Sequence, residues 1–285
     1  MSRRIVSLTL VGAFVLAAGI APGSGANGVH RRVHTLRFLY RSHSGVLRPA
    51  YLVLPPWYGP RRDPPIPLVI SPHGRGVTPK ANARLWGDLP ARGGFAVINS
   101  GGEGRRLALY SWGAPGEIRD LARMPLLAER AFPWLRIAHD RLYAFGESMG
   151  GQEVLLVLAQ HPRLLAGAAS FDAPTRMALR YRQFEGLPRA PLLRRRARIE
   201  IGGTPETDGQ AYRLRSPLDF VDEITRAGVP LQIWWSRSDH TVVDQDAQSG
   251  LLYRKLEEAN PTAPLAELVG RWPTAGQWEI GRAHV

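Results

Sequence analysis

Ser148 lies in Gly146-Glu147-Ser148-Met149-Gly150, with Gly151 next, and this spacing has a chemical meaning. A serine flanked by glycines two residues before and two after can occupy a turn too tight for larger neighbours. Its Oγ then projects from the backbone, where a base can activate it for attack on an acyl carbon. The pentapeptide alone is a weak signal. Its surroundings strengthen it: Leu142-Tyr143-Ala144-Phe145 precedes it as a strand-like run, and an apolar-periodic helix follows. The positive end of that helix would lie near the Oγ. A second glycine-rich stretch, Ser71-Pro72-His73-Gly74-Arg75-Gly76, follows the short apolar run Leu68-Val69-Ile70.

Residues 33–41 and 49–54 read as an antiparallel pair joined by a polar turn at Ser42-His43-Ser44-Gly45. Short apolar strands are expected at 68–70, 95–99, 141–145, 165–171, 229–235 and 265–270. Helices are expected between them at 79–92, 117–130, 149–160, 217–227 and 246–259. Such alternation predicts an α/β fold: a mostly parallel sheet with helices on both faces. Residues 172–215 break it, being far longer than an ordinary βα loop, and read as a lid-like insertion over the site.

Ahead of the strands, Arg3 and Arg4 introduce an apolar stretch at 5–21, then the small residues Ser24-Gly25-Ala26. That pattern predicts a signal peptide over 1–26 and a secreted product. The stretch falls short of a bilayer span, so no membrane anchor is expected after cleavage. The formal charge is +13, and lysine occurs only at Lys80 and Lys255. The arginines are scattered apart from Arg194, Arg195, Arg196 and Arg198, which reads as a solvated face of the insertion rather than a site for an acidic substrate. No nucleic-acid partner is expected. With no cysteine, and no metal or nucleotide motif, no cofactor and no metal are expected either.

From residue 33 to 278 the chain resembles the α/β-hydrolase superfamily, in particular its prolyl-oligopeptidase-like and secreted-esterase branches. The resemblance rests on three motifs in family order: the His73-Gly74-Arg75-Gly76 loop, the Ser148 turn, and Trp235-Ser236-Arg237-Ser238-Asp239. It implies Ser148 as nucleophile and an oxyanion hole formed by the Met149 N–H with that of Arg75 or, second, Gly74. His73 would brace that loop. Asp239 follows the next-to-last strand and would orient the base. Asp172, at the end of the strand after the turn, is its rival, while Asp244 and Asp246 would serve the loop or cap the next helix.

The base should be a histidine after the last strand. Only His284 follows, on a terminal tail that could not fix its geometry. Residues 280–285 are also what a common sequencing-adapter read would encode, so 279–285 reads as a non-native tail. Relatives carry their base in Gly-x-Trp-x-His. Gly276-Gln277-Trp278 matches its start, and the alternative Gly270-Arg271-Trp272 would put Thr274 in the histidine's place. Either alignment leaves the chain without its base. The expected function is a serine hydrolase cleaving small esters or peptides through an acyl-enzyme. The alternative is a catalytically silent binding protein on the same fold. Trp112, Trp234 and Trp235 could line a pocket or simply pack the core.

Overall fold

The computed structural model describes residues 32–273, so the expectations for 1–26 and 274–285 lie outside the described residues. Two strands begin it, β1 (His34–Arg41) and β2 (Leu47–Leu54), paired antiparallel. Gly45 makes the turn between them at φ 84°, where a side chain would be strained. Then follow β3 (Ile66–Ile70), β4 (Ala96–Asn99), β5 (Ile137–Glu147), β6 (Gly167–Phe171), β7 (Leu231–Ser236) and β8 (Leu265–Gly270). They form one sheet in the order β1-β2-β4-β3-β5-β6-β7-β8. All pairings from β4 onward to β8 are parallel. Every residue of β3, β4 and β6 is buried, as strands covered on both faces must be.

The helix expected over 79–92 is two helices, α1 (Pro79–Leu85) and α2 (Leu89–Gly93). Gly87 between them has φ 50°, and Pro90 has no N–H with which to continue a helical ladder. Thr78 caps α1, its side chain accepting from Ala81 N at 3.2 Å. On this face Ala83 and Trp86 pack over Val53, Val69 and Val97. Along the chain come α3 (Pro115–Ala131) and α4 (Met149–Gln160), then α5 (Met177–Gln183), α6 (Ala190–Ile201) and α7 (Gly209–Arg213). The last two are α8 (Val221–Ala227) and α9 (Ser249–Ala259). Residues of α3, α4, α8 and α9 share the main core with Ile70, Ile98 and Leu142 on the other face. All of α4 except Gln160 is buried, which marks it as the central helix. Neither Asp244 nor Asp246 caps α9: its N-cap is Gln248, with no side-chain cap, because a short 3₁₀ turn at Gln245–Ala247 displaces the helix start.

The insertion holds α5, α6 and α7 and builds a second core. Tyr181, Phe184, Leu193, Ile201 and Tyr212 pack there with Trp112 and Met149. A buried carboxylate pins this unit to the sheet side. Glu200 accepts backbone N–H bonds from Arg105, from Arg106 at 2.8 Å and from Leu107 at 2.8 Å, and pairs with Arg215 at 3.8 Å. Gln152 of α4 adds a second tie, donating to Arg215 O at 2.6 Å and Trp112 O at 3.2 Å. Glu200→Ala leaves three backbone donors without an acceptor, so it should lower stability by at least about 1–3 kcal/mol. Urea denaturation would measure this, with faster amide exchange in α6. Unchanged stability would show that Glu200 does not hold the insertion.

Candidate active site

The strand β5 turns into α4 at Ser148, whose backbone sits at φ 55°, ψ −120°. Side chains avoid this region, so the conformation persists only because its neighbours impose it. Ser148 N donates to Phe171 O at 2.8 Å, and Gln152 N to Ser148 O at 3.1 Å. The flanking glycines are required by contact. A Cβ on Gly146 would lie 2.3 Å from Gly150 O, and one on Gly150 would lie 2.4 Å from Pro72 O. The second contact also shows that the 72–75 loop rests directly on the turn.

Within that loop, Gly76 N donates to Leu109 O at 2.8 Å and Val77 N to Gly74 O at 3.0 Å. The N–H groups of Gly74 and Arg75 find no acceptor among the described residues. Met149 N opens α4 and has none either, since a first-turn N–H has no partner within its own helix and no side chain caps this one. Unpaired donors thus stand on both sides of the turn. His73 is buried in the loop, and its Nδ1 bonds Gly74 O at 2.9 Å. Burial pushes its pKa down.

The two candidate acids differ in how their oxygens are used. Asp172 is fully buried at φ 45°; its Oδ1 accepts from Ser236 N at 2.8 Å and its Oδ2 from Trp272 Nε1. Burial nevertheless raises its pKa to about 7. Asp239 accepts at Oδ1 from Thr241 N at 2.7 Å, its Oδ2 lies 3.5 Å from Gln245 Nε2, and the Val242 N–H also favours its charged form. Burial raises the Asp239 pKa as well. Among the described residues, no histidine bonds Ser148 Oγ or either oxygen of Asp239, and no acidic or histidine cluster could hold a metal.

No protein-family model matches the sequence, and no curated protein does. Solved structures do match. The acylaminoacyl peptidase of Pyrococcus horikoshii superimposes with TM-score 0.63 at 15% identity, over 85% of this chain and 37% of that one. Dipeptidyl peptidase 4 of Porphyromonas gingivalis gives TM-score 0.64 at 17% identity, over 87% and 33%. A puromycin hydrolase S511A mutant complexed with PGG gives 0.63 at 19% identity, over 86% and 37%. This chain has the α/β-hydrolase fold. The hydrolases it resembles are of the prolyl-oligopeptidase type, and it spans about a third of their length.

On this hydrolase fold, other expected residues take definite places. Trp112 packs in the insertion core, and Trp235 in the main core with its Nε1 donating to Glu267 at 2.8 Å. Trp234 meets Phe171 edge-on, at 6.2 Å between ring centroids. The arginine run lies partly against tyrosines instead of lying free in solvent. Arg196 donates to Tyr110 Oη at 2.6 Å and Arg198 to Tyr181 Oη at 3.1 Å. Trp272 stacks on Phe171 at 5.1 Å, which secures Asp172. Arg180 was not a candidate on the sequence, since one arginine among several in an irregular insertion carries no signal. It is 3% exposed, and its charge acts on Asp239.

The Asp172 carboxyl keeps its proton to about pH 7 when folded, whereas an unfolded Asp loses it near pH 4. Its contribution to stability is therefore complete below about pH 4 and lost as pH rises through about 7. Buried Glu153, also raised to about 7, adds to the same decline. Asp172→Asn should make the fall in urea stability between these limits shallower. An unchanged slope would show that Asp172 does not titrate across this window.

Proposed function

We propose that the protein is a secreted serine hydrolase that cleaves ester or small peptide bonds through an acyl-enzyme on Ser148. The observation that carries this reading is the backbone of Ser148, held at φ 55°, ψ −120° between unpaired N–H donors. In such a turn the hydroxyl meets an acyl carbon while Met149 N–H and that of Arg75 or Gly74 receive the carbonyl oxygen as it gains charge. Asp239 would hold the imidazole of a histidine following β8 through its carboxylate, and stabilise the imidazolium formed when Ser148 attacks. The same histidine then protonates the leaving group, and water deacylates the enzyme. Asp172 suits this task less well, because fixed donors already occupy both its oxygens. The peptidase names of the matched structures favour short peptides as substrates. The arginines and apolar stretch before residue 26 support export.

A fluorophosphonate added to medium from cells expressing the full-length gene should label a product beginning near residue 27, on Ser148. Ser148→Ala should abolish labelling. Asp239→Asn should slow it by orders of magnitude, as misorienting the base does in triad enzymes. Labelling that survives Ser148→Ala would refute the nucleophile; a loss on Asp172→Asn but not on Asp239→Asn would reassign the acid.

A further inference from the structure

Two arginines meet beside the proposed catalytic residues, and among the described residues no counter-ion is bonded to either. Arg180 projects from α5 onto the face of Phe184, its Cζ 4.7 Å from the ring centroid. Arg75, from the loop against the Ser148 turn, reaches the same ring at 5.6 Å. Phe184 is fully buried, and the Nη1 atoms of both arginines are buried with no hydrogen-bond partner among the described residues. The charge of Arg75 destabilises that of Arg180, and only the field of Asp239 favours it. Asp239 takes its hydrogen bonds from Thr241, Val242 and Gln245, and Arg180 acts on it only through its charge. Elsewhere the fold treats a buried arginine differently: Arg215 is given Glu200 at 3.8 Å.

Holding the buried Arg180 beside the half-buried Arg75 with no carboxylate bonded to either is costly on general grounds. An aromatic ring recovers only a small part of that. A planar anion between the two forks would satisfy the orphaned donors and screen the repulsion. Position tells what that anion belongs to. Arg75 lies in the loop that rests on the Ser148 turn, and Arg180 acts on Asp239, so an anion held here would belong to a molecule bound at the proposed site.

We propose that Arg75 and Arg180 form a carboxylate-recognition subsite, and that the substrate is a short peptide or ester bearing a free carboxylate near the scissile bond. This rests on the hydrolase reading for its site, but it can be tested by binding alone. Calorimetry on the full-length gene product would use three probes. N-acetyl-glutamic acid α-amide carries only a side-chain carboxylate, N-acetyl-glutamine only a terminal one, and N-acetyl-glutamine amide neither. At least one charged probe should bind about tenfold or more tightly than the neutral one, the value of one charge-assisted hydrogen bond. Which one binds identifies the carboxylate. Arg180→Met should remove that preference. Should this variant not fold, Arg75→Met serves the same purpose, since it retains the backbone N–H. Equal binding of all three probes, or a preference that survives the substitution, would overturn the subsite. A preference without fluorophosphonate labelling of Ser148 would keep the subsite and reject the hydrolase; labelling without a preference would do the reverse.

Discussion

The strained backbone at Ser148 is the constraint around which the rest is arranged. A positive φ at a residue with a side chain costs on the order of 1–3 kcal/mol, and the surroundings must supply it. Here they do so through contact. β6 receives Ser148 N at Phe171 O, and the missing side chain of Gly150 lets the 72–75 loop approach the turn. One distortion thus sets both the direction of the hydroxyl and the distance between two sets of unpaired donors. A relaxed serine would separate them.

Buried carboxylates hold the elements that press on this turn. Glu153 of α4 accepts from Ser111 Oγ, and from Gly113 N at 3.5 Å, drawing that loop onto the helix. Trp112 then packs on Met149, and its backbone N–H donates to the Met149 sulfur at 3.3 Å. Glu117 lies nearby, accepting from Glu103 N at 2.7 Å, and its pKa is raised by burial and then by Glu153. Glu200 performs the corresponding task for the insertion. Each carboxylate is costly to bury and is retained where backbone N–H groups need an acceptor. Glu200 and Gln152 thus tie the insertion to the loop after β4 and to α4.

Much of this was legible in the residues. The strand-turn-helix around Ser148 has a local cause, and the strands buried on both faces announce themselves as short apolar runs. Their order follows from alternation with helices. What escaped depends on contacts distant in sequence. The break at Gly87 hides within a helical pattern, and the cap expected of Asp244 or Asp246 fails because a 3₁₀ turn intervenes. Trp272 reaches Asp172 across 100 positions, and no periodicity signals that bond. Arg75 and Arg180 lie on either side of the Ser148 turn in sequence and meet where both pack on Phe184.

In the proposed reaction the turn places Ser148 Oγ so that an oxygen on its acyl group falls between the Met149 and Arg75 or Gly74 amides. A crystal structure of the full-length gene product carrying a phosphonate adduct on Ser148 tests it directly. The account predicts a phosphoryl oxygen about 2.7–3.1 Å from Met149 N and from Arg75 N or Gly74 N. A phosphoryl oxygen turned toward solvent, bonded to neither side of the turn, would contradict it.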